Sequence, residues 1–149
     1  MRLVVDLMVD IRVEVVMLFD FTLSQVASLL GLAQPSRDVR CTGISTDTRQ
    51  IQPGDLYVAL RGEHFNGNDF ATQALAAGAV AVLLDQLPAT EPDGPWLVCD
   101  DGLLAYGLIA GWQRDAFAGP IVAITGSAGK TTTKQLMAKV LEQQFTTWM

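Results

Sequence analysis

The spacing of apolar and polar positions changes several times along this chain, and each change marks an element. Over residues 9–15 apolar and charged side chains alternate strictly, the period of a strand with one wet face. Thr22, with Gln25 three residues on, reads as a helix cap and capping box ahead of Val26, Ala27, Leu29 and Leu30, and Gly31 supplies the stop. A polar joint at 35–38 precedes a predicted strand over 39–44, which leads into the polar run 45–49. Pro53-Gly54 is a turn dipeptide, and 55–60 after it is rich in strand formers. The stretch 61–69, with Gly62 and Gly67, reads as a polar, flexible loop. A helix is expected over 70–77, ended by Gly78, then strands over 79–84 and 96–99 with a loop at 88–95 between them, and a helix over about 103–114. Strand and helix in alternation predict an α/β architecture.

Residues 121–125 are apolar at every position but the last, as a central parallel strand buried on both faces should be. They run directly into Gly126-Ser127-Ala128-Gly129-Lys130-Thr131, where a helix starts with Leu136, Met137, Val140 and Leu141 on one side. Strand, glycine loop, Lys-Thr and helix together suit phosphate binding, because backbone N–H groups and the helix N-terminus face the anion without side-chain obstruction. Lys130 would reach the β- and γ-phosphates and the Thr131 hydroxyl would sit on magnesium. The pattern is the short form G-x-x-G-K-T, since Ile124 stands where the first glycine of the longer loop belongs. A plain helix start is the alternative, and the buried strand and Lys-Thr pair weigh against it.

A second constellation joins Ser45-Thr46-Asp47-Thr48-Arg49 with Pro53-Gly54-Asp55 and the loop from Gly62 to Asp69. It reads either as an Asp/Ser/Thr turn with a surface arginine or as a polar cradle for an anionic sugar nucleotide, with Arg49 facing a diphosphate. Spacing alone leaves both open.

Composition narrows the classes further. Half of the 149 residues are hydrophobic and 17% are charged, enough apolar surface for a folded core. The net charge of −6, with no basic run, argues against nucleic acid as a partner. Cys41 and Cys99 lie outside any C-x-x-C spacing, which argues against a zinc site or a disulfide scaffold. Asp6, Asp10 and Glu14 interrupt the apolar N-terminal stretch, so neither a signal peptide nor a membrane span is expected, and a cytoplasmic location follows.

Thr22-Leu23-Ser24-Gln25, Ser45 to Arg49, Pro53 to Glu63, Asp69-Phe70 and Thr125-Gly126-Ser127-Ala128-Gly129-Lys130-Thr131-Thr132-Thr133-Lys134 resemble, in that order, the Mur ligases of cell-wall precursor synthesis. The resemblance runs over residues 18–144. Lys-Thr-Thr-Thr-Lys after the Thr-Gly-Ser loop leans toward the branch that adds D-alanyl-D-alanine over the sister branch that adds the third amino acid.

What the resemblance implies is an ATP- and Mg2+-dependent ligase of three domains. Residues 17–116 would be the UDP-muramoyl-peptide-binding domain, and 117–149 the first strand, phosphate loop and helix of a truncated mononucleotide-binding domain. Residues 1–16 would be an N-terminal extension. In the family's scheme ATP phosphorylates the carboxylate of UDP-N-acetylmuramoyl-tripeptide, and the amine of D-alanyl-D-alanine attacks the product. Carried over by motif, Thr125, Gly126, Ser127, Ala128, Gly129, Lys130, Thr131 and Thr132 would bind ATP, with Lys130 central to catalysis and Thr131 on the metal. Thr46, Asp47, Thr48 and Arg49, with Asn66, Gly67, Asn68 and Asp69, would contact or shape the sugar-nucleotide site.

Departures accompany the matches. Asn66-Gly67-Asn68-Asp69-Phe70 stands where the family has Asp-Gly-His-Asp-Phe, and His64 reads as a loop residue. The family's asparagine-rich loop and its magnesium-binding glutamate and lysine are not met before Met149, and 145–149 leave the pattern. A truncation or frame change is the expectation, with weak ATP affinity, no ligase turnover alone and self-association through 121–141. The alternatives are a stand-alone sugar-nucleotide-binding module and a fragment of the sister ligase.

Overall fold

Thr22 opens the first helix by the reciprocal bonding its sequence predicts. Its Oγ1 accepts from the Gln25 N–H at 3.3 Å while Gln25 Oε1 accepts from the Thr22 N–H at 2.8 Å. This starts α1 (Leu23–Leu30), which Gly31 ends in a left-handed conformation. The computed structural model describes residues 20–63, 65–117, 119, 121–145 and 147; the strand expected over 9–15 and His64 lie outside them. Residues 17–118 form one compact unit and 119–149 belong to another.

In the first unit β1 (Phe21–Thr22) pairs antiparallel with β2 (Arg40–Cys41). The single strand expected over 39–44 is therefore divided. Thr42 leaves the first pairing to donate its N–H to Gly54 O at 2.9 Å, and β3 (Gly43–Ser45) joins a different sheet. There it lies parallel to β4 (Asp55–Val58), followed in order by β7 (Ala81–Leu84) and β8 (Trp96–Val98), all parallel. Between β4 and β7 come a hairpin of β5 (Arg61–Gly62) and β6 (Phe65–Asn66), a 3-10 turn over Gly67–Phe70, and α2 (Ala71–Ala77). The expected flexible loop over 61–69 is thus a built structure. The helix expected from Phe70 begins one residue later, because Asn66 Oδ1 accepts from the Asn68 N–H and winds the chain into the tighter turn first.

Period-two alternation assigns the two faces of the sheet. Leu56, Val58, Ala81, Leu83 and Leu97 pack with Leu23, Val26 and Ala27 of α1 and with Ala105 and Ile109 of α3 (Gly102–Ala116). Tyr57, Val82, Leu84, Trp96 and Val98 pack on the other face with Ala71 and Ala74 of α2. Every residue of β4 and β7 is buried, as a parallel sheet covered by helices on both faces requires. Asp101 Oδ1 accepts from the Leu104 N–H at 2.9 Å and so starts α3.

In the second unit the strand expected over 121–125 is not formed: 121–126 carries no regular structure. A parallel strand exists only against neighbours, and among the described residues none pairs with it. α4 (Lys130–Leu141) follows, as the sequence predicts. Among the described residues no helix is long and apolar enough to cross a membrane.

Candidate functional site

Because all four strands of the main sheet run the same way, their carboxyl ends form one edge, and ligands of open parallel sheets bind at such edges. Residues 46–49 leave the end of β3, 59–70 the end of β4, 85–86 the end of β7 and 99–101 the end of β8. Two segments far apart in sequence, Thr46–Arg49 and Asn66–Asp69, thereby come to one side of the sheet. Tyr57 of β4 ties down the second: its hydroxyl donates to Gly67 O at 3.1 Å, and burial, with the Asp47 charge adding, pushes its phenol up.

Residues 45–49 close on themselves. Ser45 Oγ accepts from the Asp47 N–H and donates to Asp47 O. Arg49 donates its backbone N–H to Asp47 Oδ1 and grips both carboxylate oxygens through Nε and Nη2, the latter at 2.6 Å. That guanidinium holds the Asp47 carboxyl at about 2, against 3.8 ordinarily. Thr46 and Thr48 are half-buried beside this turn.

In the segment 66–69 the side chains serve the loop as well. Asn68 is 2% exposed, and its amide donates to Asn66 Oδ1 at 2.8 Å and Asp85 Oδ1 at 2.6 Å while accepting from the Asp85 N–H. Asn66 donates to Asp69 Oδ1 at 3.2 Å. Gly67 lies so close to the chain that a Cβ there would meet Leu60 O at 2.6 Å and Leu60 N at 2.7 Å, so only glycine fits. Two residues of this edge, Asp85 and Arg61, escape the sequence reading. Arg61 Nε donates to Asp85 Oδ2 at 2.8 Å. The available signal was position: each is the first charged residue after an apolar run.

In the second unit Gly126 and Gly129 have φ of 150° and 76°, the region that favours glycine, and Gly129 is the N-cap of α4 without a side-chain cap. The first intrahelical bond runs from the Thr133 N–H to Gly129 O at 2.9 Å. Among the described residues the N–H groups of Lys130, Thr131 and Thr132 have no protein acceptor, and no acidic residue stands in the first turn. The Lys130 ammonium folds back over the loop onto Gly126 O at 2.6 Å. Open amides at a helix start with an ammonium beside them fit a phosphate group. Thr125, Ser127 and Ala128 complete the loop, and the Thr131 side chain is exposed on the first turn.

The buried thiols lie apart from this chemistry. Cys41 and Cys99 are both free, and burial, with Asp38 and Asp55 adding, pushes the Cys41 thiol up to about 12.

Comparison with known proteins bears on both units. The family described as Mur ligase family, catalytic domain, matches residues 40–103, which lie in the sheet unit and exclude the glycine loop. The UDP-N-acetylmuramoyl-tripeptide–D-alanyl-D-alanine ligase of Synechocystis sp. is 47% identical over 129 residues, 85% of this chain and 28% of that one. The UDP-N-acetylmuramoyl-L-alanyl-D-glutamate–2,6-diaminopimelate ligase of Streptomyces avermitilis is 43% identical over 123 residues, 77% of this chain and 24% of that one. Among solved structures, MurF from Acinetobacter baumannii superposes with a TM-score of 0.67 at 29% identity, over 84% of this chain and 28% of that one. MurF from Thermotoga maritima in complex with ADP gives 0.55 at 29% identity, over 68% of this chain and 23% of that one. The chain thus spans under a third of the length of the relatives it matches. A matched stretch of 129 residues is longer than the sheet unit, so the likeness reaches beyond it. In sheet and in sequence alike, the chain is similar to the Mur ligases over most of its own length.

Proposed function

We propose that this chain carries the sugar-nucleotide-binding and phosphate-loop portion of a cytoplasmic ligase that joins D-alanyl-D-alanine to UDP-N-acetylmuramoyl-tripeptide in peptidoglycan precursor synthesis. Residues 17–116 take the sugar nucleotide at the carboxyl edge of the parallel sheet, and 117–149 contribute the nucleotide loop. What supports this above all is the convergence of Thr46–Arg49 and Asn66–Asp69 on one sheet edge in a chain 47% identical to such a ligase. The ADP in the Thermotoga MurF structure supports ATP as the second substrate.

ATP, when bound, supplies the phosphoryl group that activates the peptide carboxylate. The chain's part is to hold its phosphates: the amides of Lys130, Thr131 and Thr132 receive oxygens and the Lys130 ammonium neutralises charge. The Thr131 hydroxyl is the residue for Mg2+. Thr125 to Gly129 shape the loop so that no side chain stands in front of those amides.

The 43% identity to a diaminopimelate-adding ligase favours one second reading, a portion of that sister enzyme. Calorimetric titration of the chain with UDP-N-acetylmuramoyl-tripeptide, with the corresponding dipeptide and with ATP separates the readings. The expected result is tripeptide binding tighter than dipeptide binding, a weak ATP response abolished in Lys130→Ala, and no ADP release on adding D-alanyl-D-alanine. Tighter dipeptide binding would select the sister enzyme. Absence of binding by either sugar nucleotide would sink the proposal, and sugar-nucleotide binding without any ATP response would leave only a binding module.

A further inference from the structure

We propose that Arg61, positioned by Asp85, is the side chain that meets the diphosphate of the sugar nucleotide at the sheet edge. This rests on the reading that the edge takes a sugar nucleotide at all. Two arginines leave the carboxyl ends of the strands among the described residues, Arg49 after β3 and Arg61 after β4. They are held in opposite ways. Arg49 closes one side of its fork, Nε and Nη2, on both oxygens of Asp47, so its charge is met two residues away and it has no pair of terminal nitrogens left without a partner. Arg61 uses Nε alone, and neither of its terminal nitrogens has a partner among the described residues.

The anchor under Arg61 is part of the body of the sheet. The Asp85 side chain is 7% exposed and directly follows β7. Its second oxygen accepts from buried Asn68, whose carbonyl oxygen accepts from the N–H groups of Asp85 and Gln86. A carboxylate fixed in this way holds the guanidinium by its inner nitrogen and leaves the two outer ones for a ligand. Paired outer nitrogens match the spacing of phosphate oxygens, which a lysine ammonium does not. Arg61 is also half-exposed and is the cross-strand partner of Asn66, a residue of the candidate substrate loop. The same edge carries Asp47, Asp69, Asp100 and Asp101, so an anion approaching it is repelled except where a cation has donors to offer.

The test measures dissociation constants of UDP and of uridine for the whole 149-residue chain by ligand-observed NMR. Uridine lacks the diphosphate, so the ratio of the two constants isolates contacts made to it. Arg61→Gln should weaken UDP by roughly tenfold or more, the usual cost of losing a charge-assisted pair, and leave uridine unchanged. Asp85→Asn should move UDP in the same direction by less, again with uridine unchanged. Arg114→Gln, a charge-matched control on the last turn of α3, should change neither. If Arg61→Gln fails to fold, Arg61→Lys carries the test: it keeps the charge and loses the fork, and should weaken UDP alone by a smaller factor. A UDP-to-uridine ratio unaltered by changes at Arg61, or an equal loss for both ligands, overturns the assignment while leaving the proposed function standing. If the unaltered chain binds neither ligand, the proposed function itself falls.

Discussion

Residues 81–84 and 121–124 are alike as sequence, four apolar positions each, and the two end differently. Ala81–Leu84 is buried at every residue between two parallel neighbours. Ile121 and Val122 are 59% and 58% exposed and form no strand. Apolarity on both faces states what a segment needs; only neighbours decide whether it becomes a strand. The polar groups of the two regions differ in a parallel way. At the sheet edge the side chains of Asp47, Asn66 and Asn68 have protein partners, whereas the first amides of α4 have none among the described residues.

The largest effect that probes this contrast comes from truncating each segment in turn. Leu83→Ala removes a fully buried side chain and should cost about 2–5 kcal/mol in urea unfolding. Val122→Ala should stay within about 0.5 kcal/mol. A cost at Val122 comparable to that at Leu83 would mean that 121–125 is packed in solution, and the contrast between the units would fail. Next comes Asn68→Ala, which strips partners from the enclosed Asp85 carboxylate and from Asn66; a loss of about 2 kcal/mol is expected. Unchanged stability there would show the loop to be held by Gly67 and Tyr57 alone. Smaller again is Thr22→Ala, which removes the α1 cap and should cost about 1 kcal/mol. A helix unaffected by it would mean that packing against the sheet, and not the cap, sets where α1 begins.

Most of the sheet unit was legible because its signals are local. The cap at Thr22, the stops at Gly31 and Gly78 and the apolar runs ending at Leu84 and near Val98 each declare themselves within a few residues. What stayed hidden depends on distant pairing. The break at Thr42 needs the 53–54 turn to receive its N–H. The order of residues 61–70 needs Asn68 to reach Asp85, seventeen positions on. The candidate site divides in the same way. The glycine loop is a contiguous motif and declares itself in the sequence, whereas the pairing of Arg61 with Asp85 joins residues that sequence spacing could not bring together.

The smallest effect decides how far the sheet edge is closed. With Arg49 gripping it, Asp47 titrates at about 2 in the folded chain, below its usual 3.8. A depressed carboxyl stabilises the fold fully above the unfolded value and loses that contribution as pH falls through the folded one, so the window runs from about 4 down to about 2. At neutral pH the contribution is constant, and solvent screens it because Arg49 is 84% exposed. Carbon-detected NMR of the Asp47 carboxyl between pH 1 and 6 should therefore give a midpoint near 2, and Arg49→Gln should return it toward 3.8. A midpoint near 3.8 in the unaltered chain would mean that the Arg49 fork is open in solution. Both arginines of the edge would then have paired terminal nitrogens free for an anion, and Arg61 would lose its distinction.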